Sequence, residues 1–81
     1  MSTFNTAQKI AKTIVNKYSS ADIKNELYQL LILQMNYNEA VKISNEIDPK
    51  NYESELRSLI LMMSNKQITE MSNDISSVFS L

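Results

Sequence analysis

Apolar side chains recur at helical spacing from one end of this chain to the other, and they divide it into five amphipathic segments. In residues 4–18, Phe4, Ala7, Ile10, Ala11, Ile14, Val15 and Tyr18 share one face, and Lys9, Lys12 and Lys17 lie off it. Residues 21–35 set Ile23, Leu27, Leu30, Leu31 and Met35 in a stripe that Tyr28, Ile32 and Leu33 widen. A stripe that wide predicts a central helix with neighbours on more than one side. A shorter helix over 37–47 turns Tyr37, Ala40, Val41, Ser44 and Ile47 inward. A fourth, opening at residue 49 and reaching residue 63, aligns Tyr52, Leu56, Leu59, Ile60 and Met63. The fifth carries Ile68, Met71, Ile75, Val78 and Phe79. Fraying is expected near Ser76-Ser77, because serine weakens helices and chain ends are loosely held.

The breaks between these segments contain no Gly, and the chain has a single Pro. Helix ends must therefore be made by polar side chains that satisfy the free backbone N–H groups. Ser2 or Thr3 caps the first helix, and Ser19-Ser20 separates it from the second. Asn36 with Glu39, and Ser64 with Gln67, have the spacing of a capping box. Asp48 is the expected cap of the fourth helix, with Pro49 as its first residue.

A shift of about 28 residues sets two parts of the chain against each other. Leu31-Ile32-Leu33-Gln34-Met35 then faces Leu59-Ile60-Leu61-Met62-Met63, and Ser44-Asn45-Glu46-Ile47 faces Ser72-Asn73-Asp74-Ile75. Two accounts are open: an internal duplication, or two hairpins that solve one capping problem in the same way. Duplication predicts that helices two and three form one antiparallel hairpin and helices four and five another, with the first helix standing ahead as a cap. Stacked hairpins bury a shared core and leave a concave binding face. Asn36-Tyr37-Asn38-Glu39-Ala40-Val41 and Ile47-Asp48-Pro49-Lys50-Asn51 resemble the second helix and exit turn of a tetratricopeptide repeat. The resemblance implies a stack of antiparallel helical hairpins. The expected architecture is thus one all-α domain over 1–81: a first helix (1–19), one hairpin (20–47) and a second (48–81).

Charge narrows the function classes. Eight basic and nine acidic residues give a net charge of −1, and Arg57 is the lone Arg. A nucleic-acid binder needs a cationic surplus to displace counterions, and Arg supplies most bidentate base contacts. The short connections still admit a helix-turn-helix regulator as an alternative reading. The longest apolar run, residues 30–33, is far below the about 20 residues of a membrane span. Met1-Ser2-Thr3-Phe4 lacks the basic-then-apolar pattern of a signal peptide. With no Cys, these features predict a cytoplasmic protein. The abundance of Asn, Ile, Lys and Ser resembles coding by an AT-rich genome, such as that of a low-GC bacterium or its phage.

Reactive chemistry has little to build on. Without His or Cys, the usual nucleophile–base pairs and most transition-metal sites are excluded, and no glycine loop is present to cradle phosphate. Asp22 with Glu26, and Glu70 with Asp74, are carboxylate pairs on one helix face. They read as solvated charges rather than metal ligands, because helical di-metal sites add a Glu-x-x-His step. No catalytic residue, cofactor or metal is expected, and the chain is not expected to be an enzyme. Residues 1–20 carry Lys9, Lys12 and Lys17 and no acid, which gives a second alternative: contact with an anionic membrane through a basic helix.

The remaining signal is surplus apolar surface. Ile32, Leu33, Leu61 and Met62 fall off the main stripes, and Met35, Met63 and Met71 lie close by in the pattern. Either both central helices are surrounded on all sides, or these residues form an exposed patch. Methionine is favoured at adaptable binding surfaces. The patch expected to bind is Leu33, Tyr37, Leu61, Met62 and Met63. Its expected partner is a larger protein that this small accessory or regulatory chain sequesters or modulates, or a second copy of the chain.

Overall fold

The computed structural model describes residues 3–79, the side chain of Phe79 excepted. The expected cap at Ser2 and the inward side chain of Phe79 lie outside the described residues. Helices α1 (Thr3–Lys17), α2 (Ser20–Leu31) and α3 (Tyr37–Glu46) are followed by a single 3-10 turn, Pro49–Asn51. Helices α4 (Tyr52–Leu61) and α5 (Asn65–Phe79) complete the chain, and no strand occurs among the described residues. The protein is an all-α domain.

The expected side-chain caps form. Ser19 Oγ accepts from the Asp22 N–H at 3.2 Å and opens α2. Asn36 Oδ1 accepts from the Glu39 N–H at 2.9 Å, while Asn36 Nδ2 donates to Glu39 Oε1 at 3.1 Å. Ser64 Oγ accepts from the Gln67 N–H at 3.2 Å, and Gln67 Oε1 accepts from the Ser64 N–H at 3.0 Å. These reciprocal bonds satisfy orphan donors at the starts of α3 and α5. Asp48 Oδ1 accepts from the Lys50 N–H, but this cap opens the 3-10 turn, and α4 itself begins only at Tyr52. The capping residues of α2, α3, the 3-10 turn and α4 all have negative φ, from −55° to −101°. The chain therefore reverses direction at these points without a left-handed residue.

Two helices end earlier than their apolar spacing predicts. Beyond Leu31, the Leu33 N–H donates to Leu30 O and the Gln34 N–H to Leu31 O. These bonds reach back three residues instead of four, which tightens the last turn and brings Asn36 into capping position. The same tightening closes α4, where Met62 and Met63 donate to Leu59 and Ile60. At the other extreme, α5 runs through Ser76-Ser77 without a break. Its Val78 is 70% exposed and not inward as its spacing predicts.

The first helix is not a detached cap. Gln8 Nε2 donates to Glu53 Oε2 at 3.1 Å, Arg57 donates to Gln8 Oε1 at 2.7 Å, and the Arg57 guanidinium lies 5.3 Å from the Phe4 ring centroid. Positions rising along α1 thus meet positions falling along α4, so the two helices are antiparallel. Thr3 Oγ1 reaches Asn65 Oδ1 at 3.5 Å, so α1 and α5 start at the same end and run the same way. The close backbone approaches are α1 with α4 and α5, and α2 with α3 and α4. The physical reason is on the α1 face: Ala7, Ile10, Ala11 and Ile14 are almost wholly buried. A helix with that much apolar surface needs two neighbours, and its alanines let them come close. The buried Thr13 hydroxyl donates to Lys9 O, and the buried Ser44 hydroxyl to Val41 O, so neither polar group is left unpaired in the core.

Burial also refines the repeat. The buried positions of α2, namely Ile23, Leu27, Leu30 and Leu31, correspond in spacing to Tyr52, Leu56, Leu59 and Ile60 of α4. That offset is one residue longer than the one relating Asn36, Glu39 and Ala40 to Ser64, Gln67 and Ile68. Leu31 therefore matches Ile60 structurally, not Leu59. The connection after α2 holds the extra residue.

Candidate interaction surface

The tightened ends of α2 and α4 lie side by side, with a groove between them. Its volume is about 380 Å³, and it is lined by Leu30, Leu33, Gln34, Leu59, Met62, Met63 and Gln67. Leu30 and Leu59 are buried and form the floor, whereas Leu33 (62% exposed) and Met62 (66% exposed) stand at the rim. Met63 is half-buried between them. The two walls are equivalent in register: Leu30, Leu33 and Gln34 on one side answer Leu59, Met62 and Met63 on the other.

Three of the five residues expected in the patch, Leu33, Met62 and Met63, are brought together in this groove. Tyr37 and Leu61 do not line it. Tyr37 is exposed at the start of α3, with its ring edge-on to Tyr28 at 5.8 Å and 86°. Ile32, on the turn after α2, and Leu61, the last residue of α4, are also exposed. Since Ile32, Leu33, Leu61 and Met62 all reach solvent, α2 and α4 are not enclosed on every side. Sequence reasoning placed Leu30 and Leu59 in the apolar stripes and Gln67 in a capping box, but assigned neither these residues nor Gln34 to a binding surface. One signal for Leu30, Gln34 and Leu59 was available, though not for Gln67: residues 27–38 and 58–65 contain no ionisable acid or base other than Tyr28 and Tyr37, in a chain that is 21% charged. Each uncharged stretch spans a helix end and the turn after it, and the groove joins the two.

Ionisable groups gather at the far end of α2. Burial holds the Glu26 carboxyl above the usual glutamate range, and the neighbouring Asp22 charge pushes it further the same way. The Tyr18 phenol is raised by burial, then by Glu26 and Asp22. Lys9, Lys12 and Lys17 are exposed along α1. Among the described residues no group of three or more acidic, His or Cys side chains comes together to hold a metal ion.

No protein-family model matches this chain, and neither a curated protein nor a solved structure matches it.

The site must therefore be read from its own chemistry. It contains no nucleophile, no acid–base pair and no charge. It offers an apolar floor, two flexible thioethers and two amides. The Gln67 Oε1 is engaged by its capping box, whereas no hydrogen bond within the described residues engages the Gln34 amide. Such a surface can bind apolar side chains and satisfy peptide groups at its edge. No helix among the described residues is long and apolar enough to cross a membrane.

Proposed function

We propose that this protein is a small non-catalytic protein–protein interaction module, accessory or regulatory in role. In this reading it sequesters or modulates a larger protein through the tip where α2 and α4 end. One observation carries it: a neutral groove with a buried leucine floor and solvent-exposed Leu33 and Met62 at its rim. Contiguous apolar surface on a small domain marks a site of association more often than a structural need. Interface cores are poor in charge and rich in Met and aromatic residues, and the tip has that composition.

The test begins with affinity capture from the native host, using the wild-type chain and the Leu33→Asp, Met62→Asp double variant in parallel. A protein retained by the first and lost by the second is then purified and titrated calorimetrically against both. The expected result is loss of at least tenfold in affinity with unchanged far-ultraviolet circular dichroism. Equal binding by a folded variant removes the tip from consideration.

A further inference from the structure

Two of the chain's five methionines line the groove, and with no Cys in the sequence every sulfur is a thioether. We infer that Met62 is an oxidation site: a peroxide converts its thioether to the sulfoxide, turns the groove from apolar to polar and releases what the tip binds. This rests on the reading of the tip as an association surface and adds its regulation.

Met62 stands apart from the other described methionines. Its side chain is 66% exposed, whereas Met35, Met63 and Met71 are half-buried and packed against the core. No thiol competes for the oxidant, so access to sulfur decides which thioether reacts first. With hydrogen peroxide, the sulfur lone pair takes one oxygen as hydroxyl and the O–O bond breaks. The proton of that hydroxyl passes to the departing oxygen, which leaves as water. Sulfur loses two electrons and the peroxide gains them.

The fold tolerates the change. Met62 closes α4 with ordinary right-handed helical angles, φ −83° and ψ −7°, and its N–H donates to backbone carbonyls. Its side chain lies outside the buried core. The groove responds differently. Leu30, Leu33 and Leu59 supply its apolar surface, and a sulfoxide sets a strong dipole and an acceptor among them. An apolar side chain seated there would strip water from that oxygen without offering a donor. The free protein does offer one, because two amides share the lining. Gln34 makes no hydrogen bond within the described residues, and Gln67 uses its Oε1 in the capping box while its Nε2 stays unengaged there. A thioether is a poor acceptor, so these NH2 groups gain a partner at Met62 only once an oxygen is present. No formal charge changes, so the exposed Glu39 and Lys66 that border the tip keep their roles.

Graded hydrogen peroxide on the folded full chain, followed by peptide mass mapping, tests the site. Met62 is expected to gain one oxygen at least about fivefold faster than Met35, Met63 or Met71, with an unchanged circular dichroism melt. NMR reads the groove: side-chain NH2 signals of Gln34 or Gln67 and methyl signals of Leu30 and Leu59 shift, then return after treatment with methionine sulfoxide reductase. The partner protein captured by the wild-type chain is expected to bind the oxidised chain at least about tenfold more weakly by calorimetry, and the reductase restores it. Met62→Gln, whose amide oxygen stands in for that of the sulfoxide, is expected to reproduce the loss without oxidant. Equal oxidation of the four methionines overturns the inference. So does oxidation at Met62 that unfolds the chain, leaves the groove signals in place or leaves partner affinity intact. In those cases a partner lost by the Leu33→Asp, Met62→Asp variant leaves the association surface standing. An unoxidised chain that captures nothing through the tip removes that surface, and the switch with it.

Discussion

Glu26 is half-buried on α2, with Asp22 one turn before it and the Tyr18 phenol nearby, and burial followed by the Asp22 charge raises its carboxyl above the usual glutamate range. Its folded carboxyl binds a proton more readily than the unfolded one, so the charged form opposes folding. The sign follows from linkage: the cost is absent below the unfolded pKa and is fully expressed above the raised folded value. Glu26→Gln is therefore expected to raise Tm at pH 7. At pH 3, below the ordinary glutamate value of about 4.3, the gain should largely vanish, because both chains are then neutral at this position. Thermal melts followed by circular dichroism at the two pH values check this; an equal shift at both would assign the effect to packing. At this scale the sequence is informative about faces and weaker about edges. Ile68 and Ile75 lie on one line and are buried, but Val78, about 60° round the helix from Ile75, is not covered. Phe4 likewise begins the α1 stripe yet is half exposed, with Arg57 beside its ring. Periodicity finds the centre of a stripe and does not say how far a neighbour extends over it.

Each helix was legible from its apolar period, and so were the caps that start α2, α3 and α5, since cap chemistry is local. The C-terminal ends were less so. Met35 and Met63 continue the apolar pattern, but three-residue backbone bonds had already closed the helices before them. Partnership between helices was least legible. The apparent 28-residue likeness pointed to hairpins with α1 ahead of them, whereas α1 lies against both α4 and α5. No local signal shows which apolar stripe will meet which. The packing makes a clear forecast. A chain shortened to residues 20–81 loses the side chains that cover α4 and α5, including Ile10 and Ile14, which are essentially inaccessible to solvent. Deleting single buried aliphatic side chains costs about 2–5 kcal/mol each, and whole domains are stable by only about 5–15 kcal/mol. The shortened chain is expected to have no cooperative thermal transition. A retained sharp transition near the full-length Tm would restore α1 to the role of an optional cap.

The whole molecule measures 34 × 24 × 18 Å and is polarised along the bundle. One end gathers the groove and its apolar turns, with Glu39 and Lys66 in the first turns of α3 and α5, and the other carries Asp22, Glu26, Asp48 and Lys50. That asymmetry predicts how association responds to salt. Contacts between charged surfaces weaken steeply as ionic strength rises, since the screening length falls from about 10 Å at 0.1 M to about 3 Å at 1 M. A contact made by the apolar lining and rim of the groove has little to screen. The affinity of the tip for its partner protein is expected to change by less than about threefold over that salt range, and calorimetric titration at several salt concentrations measures it. A steep decline would place the contact among the lysines of α1 and the carboxylates of α5 instead. The connections that shape this tip have a further consequence. Their caps bend with ordinary backbone angles and rely on side-chain hydrogen bonds for closure. Rewriting such a turn forfeits the two or three bonds of a capping box without forcing the peptide into a disfavoured shape. The polar turn residues are thus exchangeable parts, and foreign recognition loops could be spliced between the rods while the buried leucines and isoleucines keep the frame.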